Sequence, residues 1–247
     1  MSTLLFLHGV GGGHAAWDRQ VPYFFALGHR THAWDQPGYG GSALVDPYDL
    51  EQVAGALRRL IESLGGEPVV LVGHSMGGFV AQEACARYPQ LIKALVLGFT
   101  SPSFGGGSQA FVDKFIAARI APLDQGRSMA EIAAKLMPAM RGSKSLPEGL
   151  AHAERIMGAI PPATYRKAVQ LLTAFDRRVA LPAIAVPTLL VAGSDDRVAP
   201  ASVLERMAQK IPGAEYVLLE GCGHLGPMDQ PDEFNQALRG FLERRQL

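Results

Sequence analysis

The chain predicts an α/β fold, a mostly parallel, doubly wound sheet broken by one helical insertion. Short, nearly continuous apolar runs recur at 3–7, 67–72, 91–98, 186–192 and 215–220, the pattern of strands covered on both faces. Helical periodicity fills the gaps between them, and strands alternating with helices form right-handed crossover units that build a parallel sheet. Between 101 and about 182 the strand signal vanishes and the composition shifts toward Ala, Met, Gly and Pro, so this stretch is an insertion and not another strand-helix unit.

Taken in order, TLLFL at 3–7 opens the sheet, and HRTHAWD at 29–35 supplies a weaker strand. Leu50, Val53, Ala54, Leu57, Leu60, Ile61 and Leu64 repeat at three and four, with Asp49 as N-cap, Gln52 three residues later, and Gly65–Gly66 as the stop. PVVL at 68–71 runs into VGHSMGG, and the helical stretch MGGFVAQEACARY follows. After the insertion come a strand within AIAVPTLLVA, a helix at 200–211, the strand EYVLLE and a last helix at 231–244, with Pro at both helix starts. The insertion itself holds helical stretches at about 108–120, 128–140, 147–159 and 163–175, separated by the glycines at 105–107, Gly126, Gly142 and Pro161–Pro162. The expected organisation is therefore a core of 1–100 and 183–247 carrying a helical cap at 101–182.

A length of 247 residues suits one core with an inserted subdomain. Lys plus Arg and Asp plus Glu both total 23, and no basic run occurs, which argues against nucleic acid or an anionic membrane as partner. No apolar stretch approaches the roughly 18 residues of a bilayer span, and the start lacks the features of a secretory signal; a cytoplasmic monomer or homodimer is expected. Cys85 and Cys222 are expected as free thiols in a chain of this size. No histidine spacing suggests a metal site, and no cofactor is called for.

Ser75 falls between Gly73 and Gly77 at the carboxyl end of a buried strand, just before a helix. Ligands in open α/β sheets bind at that edge, and a tight strand-to-helix turn pushes its central side chain into the cleft. A serine hydroxyl needs a base to take its proton. His224, in GCGH after the strand EYVLLE, is the best placed of the seven histidines. Its other nitrogen needs an acceptor, and Asp195 and Asp196 both follow the strand PTLLVAG at the same edge.

The order of nucleophile, acid and histidine, each after its own strand, resembles the α/β-hydrolase superfamily. The likeness rests on HG at 8–9, DQPGYGGS at 35–42, GHSMGG at 73–78, GSDDRVAP at 193–200 and GCGH at 221–224, and spans nearly the whole chain except the insertion. It implies a catalytic Ser75, Asp196 and His224, since Gly193, Asp196 and Pro200 fit the family's acid turn and Asp195 lies one residue early. It also implies an oxyanion hole from the backbone N–H groups of Val10 and Met76. Asp35 to Ser42 then form a structural turn, His8 and His74 pack beside the site, and His14, His29, His32 and His152 are satisfied polar residues. Phe104, Phe111, Phe115, Met129, Met137, Met140 and Met157 could line a substrate pocket in the insertion, although helical spacing makes core packing the commoner role for any one of them. Phe104, Phe111, Met137 and Met140 are the substrate-binding candidates.

Histidine before the serine is similar to carboxylesterases and lipases, which implies a cofactor-independent serine hydrolase acting on a small or medium carboxylic ester. FDRRVALPAIAVPTLLVAG looks like the corresponding segment of enol-lactonases, so a lactone or enol-lactone is the second substrate class. The HG strand begins at residue 3, as in compact plant-type esterases and hydroxynitrile lyases, which leaves a lyase as a remoter reading; C–C bond hydrolysis is a further alternative of the same fold, whose relatives often carry Asn before the serine. A binding protein on the hydrolase fold, like the hormone receptors that keep the three residues, is the alternative of another class; repeated turnover of an aryl ester separates it from an enzyme.

Overall fold

The structure is a computed structural model and describes residues 1–105 and 108–247. Six strands, β1 (Thr3–Leu7), β2 (Arg30–Trp34), β3 (Val69–His74), β4 (Ile92–Gly98), β5 (Thr188–Gly193) and β6 (Glu215–Leu219), form one sheet in the order β2-β1-β3-β4-β5-β6, every pair parallel. The central strands bury every side chain, as continuous apolar runs require. Strand order reverses between β1 and β3, so the crevice expected of an open α/β sheet opens at their carboxyl ends.

Around the sheet, α1 (Gln20–Ala26) packs against α10 (Pro231–Arg244), and α2 (Leu50–Ser63) against α3 (Met76–Arg87), while α8 (Ala201–Lys210) lies on β5 and β6. Asp49 caps α2 by accepting the Gln52 N–H at 2.8 Å, and Gly65 and Gly66 end it with φ of 115° and 73°. Helix α1 escaped the sequence pattern for a physical reason: it has seven residues, a proline in its first turn and only Gln20 and Phe24 buried. The four-residue α9 (Gly226–Asp229) is likewise too short to show periodicity.

Between β4 and β5 lie α4 (Gln109–Asp124), α5 (Met129–Leu136), α6 (Pro147–Gly158) and α7 (Pro162–Thr173). Helix α4 runs four residues past its expected end, through Pro122, before Gly126 at φ 80° stops the chain. The stretch expected as one helix at 128–140 divides into α5 and a 3₁₀ turn at Met137–Met140, because Pro138 cannot donate to a continuing α-helix. Of the glycine run expected as a separator at 105–107, only Gly105 lies within the described residues. The insertion is tied back to the core through Glu83 on α3, a buried carboxylate that accepts from Arg177 at 2.6 and 2.7 Å and from Arg87. Burial opposes that charge, but the two guanidiniums hold Glu83 below its ordinary pKa.

Candidate active site

The junction of β3 and α3 is a strained turn. Ser75 takes φ 52° and ψ −117°, a conformation costly for a residue with a Cβ. Its neighbours must be glycine for space: a Cβ on Gly73 would meet the Gly77 carbonyl at 2.5 Å, and one on Gly77 would overlap the Leu7 carbonyl of β1. The Ser75 N–H donates to the Gly98 carbonyl at 3.0 Å, and its own carbonyl accepts from Thr100 Oγ1 at 2.8 Å, so the end of β4 holds the turn.

That turn aims Ser75 Oγ at His224 Nε2, 3.0 Å away. His224 Nδ1 lies 2.8 Å from Asp196 Oδ2, and Asp196 Oδ1 accepts the N–H groups of Val198 (2.7 Å) and Ala199 (3.0 Å). With Nδ1–H donating to the carboxylate, Nε2 carries the lone pair that accepts from Ser75. The Asp196 side chain is fully buried and that of His224 nearly so, which removes water's competition for these bonds. The two adjacent acids have separate partners: Asp195 turns away and its Oδ2 accepts from the Ser143 N–H (2.8 Å) and Oγ (2.7 Å) of the insertion.

Two buried rings back His224. His74 Nε2–H donates to the His224 carbonyl at 2.7 Å, and the Phe99 and His74 rings pack 6.4 and 5.2 Å from the His224 ring. Phe99, like Ser75, sits at φ 52°, a left-handed conformation held by its N–H donating to Val191 at 2.9 Å. Burial, with His224 nearby, lowers the His74 pKa to about 3, so it packs as a neutral ring. Cys222 is wholly buried and, like Cys85, a free thiol; burial pushes both thiols up, Cys85 to about 11.

The loop after β1 brings a second wall. Val10 lines the cleft beside Ser75. Among the described residues neither the Val10 N–H, on the cleft wall, nor the Met76 N–H, which directly follows Ser75 and opens α3, donates to a protein acceptor. The loop is braced from the 35–42 turn: Tyr39 O–H donates to the Val10 carbonyl (2.9 Å), and the Gln36 N–H donates to His8 Nε2 (3.2 Å) while its side-chain amide donates to the His8 carbonyl (2.6 Å). His8 is buried and neutral, its pKa lowered by burial to about 4. Asp35 accepts from the His14 backbone at 2.8 Å. Gln36 and Tyr39, inside the 35–42 turn that the sequence marks as structural, thus support the site through contacts between two loops.

Above Ser75 lies a cavity of about 520 Å³. Phe104, Phe111, Met137 and Met140 all line it, as do Phe115 and Met157; Met129 alone of the seven aromatic and methionine candidates is packed elsewhere. Arg119 also reaches this cavity, whereas Arg141 does not. No cluster of His, Cys, Asp and Glu able to hold a metal ion occurs among the described residues, and no helix there is long and apolar enough to cross a membrane.

A family model described as "Alpha/beta hydrolase family" matches residues 4–237. The chain belongs to that family. Among its curated relatives, "Putative carbamate hydrolase RutD" of Stutzerimonas stutzeri (strain A1501) is 30% identical, the match covering 97% of this chain and 91% of that protein. A 2-hydroxy-6-oxononadienedioate/2-hydroxy-6-oxononatrienedioate hydrolase of Pseudomonas sp is 27% identical over 98% of this chain and 88% of its own. Among solved structures, a thermophilic esterase from Thermogutta terrifontis, solved with malate bound, superposes with a TM-score of 0.89 at 26% identity, covering 99% of this chain and 90% of that one. The family and these relatives make the chain a hydrolase; the bond it cleaves is the finer question.

Proposed function

We propose that this hydrolase cleaves a small or medium carboxylic ester through an acyl-enzyme on Ser75, with His224 as base and Asp196 as its orienting acid. The observation that carries the reading is the relay from Ser75 Oγ through His224 to Asp196, at 3.0 and 2.8 Å, set beneath a mostly apolar cavity in which Phe and Met side chains recur. Its apolar wall suits an acyl chain. Ser75 attacks the ester carbonyl as His224 Nε2 takes its proton, and Asp196 stabilises the imidazolium so formed. The developing oxyanion falls to the Val10 and Met76 amides, each such donor being worth roughly 10²–10³ in rate. The imidazolium then protonates the leaving alcohol, and water, deprotonated by the same histidine, releases the acid.

A lactone is opened by the same steps with the leaving alcohol still attached to the acyl chain, so it remains within the reading. The test is a panel of 4-nitrophenyl acyl esters, lactones and a carbamate, with wild type and Ser75→Ala. Turnover of the esters, its loss in Ser75→Ala, and fluorophosphonate labelling of wild type alone are expected. Wild-type rates in Ser75→Ala overturn the assignment of the nucleophile; labelling of Ser75 without turnover of any substrate would favour a receptor, and carbamate turnover exceeding every ester would move the substrate class to the carbamates.

A further inference from the structure

The cavity above Ser75 is lined by three cationic side chains, Lys114, Arg119 and Arg197, and among its described lining residues there is no Asp or Glu. Lys114 and Arg197 are exposed at its rim; Arg119 is not. Every other arginine of the chain is either exposed to solvent or paired with a carboxylate. Arg119 alone is partly withdrawn from water and makes neither an ion pair nor a hydrogen bond among the described residues. What it does contact is the face of Phe115, one turn earlier on α4, with the guanidinium carbon 3.6 Å from the ring centroid.

Stacking of this kind occupies the flat face of the guanidinium and leaves its five in-plane N–H donors unused. Withdrawing a cation from water without a counter-ion is costly, and here burial does lower the Arg119 pKa from its ordinary value. Tyr165 on α7, itself buried, lines the same wall; among the described residues its hydroxyl has no protein hydrogen-bond partner. Burial raises the Tyr165 pKa while the Arg119 charge draws it back, so the two groups feel each other across the cavity wall. A planar fork of donors held on an aromatic shelf, with a phenol O–H on the same mostly apolar chamber, is the chemistry that receives a carboxylate in bidentate fashion.

We propose that Arg119, assisted by Tyr165, is a specificity-determining carboxylate receptor, and that the substrate is an ester or lactone whose acyl portion carries a second, free carboxylate at the end remote from Ser75. The proposal rests on the ester-hydrolase reading for its chemistry, but the receptor itself is independent of it. The acyl chain crosses the apolar chamber between the two groups, with the scissile carbonyl at Ser75 and the anion at Arg119. A neutral acyl ester of the same length fills the chamber and leaves the guanidinium unpaired.

The test compares, within each protein, kcat/KM for the mono-4-nitrophenyl ester of a straight-chain dicarboxylic acid with that for the same ester capped as its methyl ester, over a series of chain lengths. Wild type should favour the anionic member of at least one pair by about tenfold or more; the preference should fall by about tenfold or more in Arg119→Gln, chiefly through KM, and only in part in Arg119→Lys, which keeps the charge but loses the fork. Arg206→Gln, which removes one exposed charge on α8, controls for net charge and should keep the wild-type ratio. Melting temperatures with and without the free dicarboxylic acids supply a readout that needs no turnover, wild type being raised and Arg119→Gln not. If no ester is hydrolysed yet this shift is seen, the ester reading falls and the carboxylate receptor stands. A wild-type ratio near one at every length, or a ratio and shift unchanged in Arg119→Gln, overturns the proposal.

Discussion

The His224 backbone N–H donates to the Met140 carbonyl at 2.8 Å, so the loop carrying the histidine is hydrogen-bonded, main chain to main chain, to the helical insertion above it. The approach is close enough to exclude side chains: a Cβ on Gly223 would overlap the Met140 carbonyl, and one on Gly142 would overlap the Gly221 carbonyl. The Lys144 N–H donates to Gly221 at 2.9 Å and completes the seam. The insertion therefore holds the position of His224 as well as the shape of the cavity.

Gly223→Ala should accordingly injure catalysis through geometry. Its Cβ must push the 221–224 loop off Met140, and a displacement of about 1 Å in a reacting group costs on the order of 10²-fold in rate. The expected result is a kcat/KM for 4-nitrophenyl acetate lowered roughly a hundredfold, with a melting temperature lower by about 2–4 °C for each kcal/mol lost. Gly41→Ala, where a Cβ meets nothing within 4 Å, should match wild type in both measurements. Equal activity in the two variants would show that the seam does not position the histidine.

Adjacent acids with different partners give a second test. Asp196→Asn keeps the volume but presents an amide to His224 Nδ1, favouring the tautomer whose Nε2 already bears a proton; a loss of about 10⁴ in kcat is expected. Asp195→Asn weakens the bonds to Ser143 of the insertion and to the neighbouring Ser194 hydroxyl, at an exposed site where single contacts contribute little. Its kcat should stay within about tenfold of wild type. Reversal of the two effects, measured by steady-state kinetics, would exchange the roles.

Glu83 joins α3 to the end of the insertion, and its side chain is only 4% exposed between arginines that are each about a third exposed. Glu83→Gln leaves Arg177 without its carboxylate partner and Arg87 with Glu51 alone. Discounted for the solvent that reaches both arginines, the cost should be about 1–3 kcal/mol, seen as a lower urea midpoint at an unchanged slope. Preferential nicking of Glu83→Gln near Arg177 under limited proteolysis would localise the loosening to the insertion.

What could be read in advance follows the range over which each interaction acts. Ser75, Asp196 and His224 each stand in a local turn whose glycines or proline the backbone itself demands, such as Gly73 and Gly77 about the strained Ser75, so the motifs carry the placement. The apolar runs likewise announce strands because every side chain of β3 and β5 is buried. The seam between Met140 and Gly223 was illegible, because it depends on how the insertion docks and joins segments about eighty residues apart. Helical spacing left the aromatic and methionine residues of the insertion between a pocket and a core: spacing reports which residues share a face, and here that face looks into a cavity as well as a core. Arg119 over Phe115 follows i,i+4 spacing, but its withdrawal from water could be seen only with α7 and Tyr165 in place.

Two buried neutral histidines set the acid limit of stability. Burial lowers His8 from 6.5 to about 4 and His74 to about 3, so between those values and 6.5 the unfolded chain binds protons that the folded one refuses. Stability then rises with pH across the window and is lost as pH falls below 6.5, at up to about 1.4 kcal/mol per pH unit for each histidine. Protonation of His8 would also place an N–H against the Gln36 N–H that Nε2 now accepts. The carboxylates lowered in the fold, such as Glu83 with its ordinary value of 4.5, add to the loss only below that point. Asp229, raised by burial, takes its proton more readily folded than unfolded and offsets part of the loss at the acid end. Urea midpoints should thus be flat from pH 7 to 8, below the range where the two raised thiols begin to matter, and fall steeply from pH 6 to 4.5, with a proton uptake on unfolding that approaches two at the acid end less the share Asp229 returns. A midpoint that stays level from pH 7 to 5 would mean that His8 and His74 accept protons in the folded chain, and with them that the rings behind the Val10 loop and His224 are open to water.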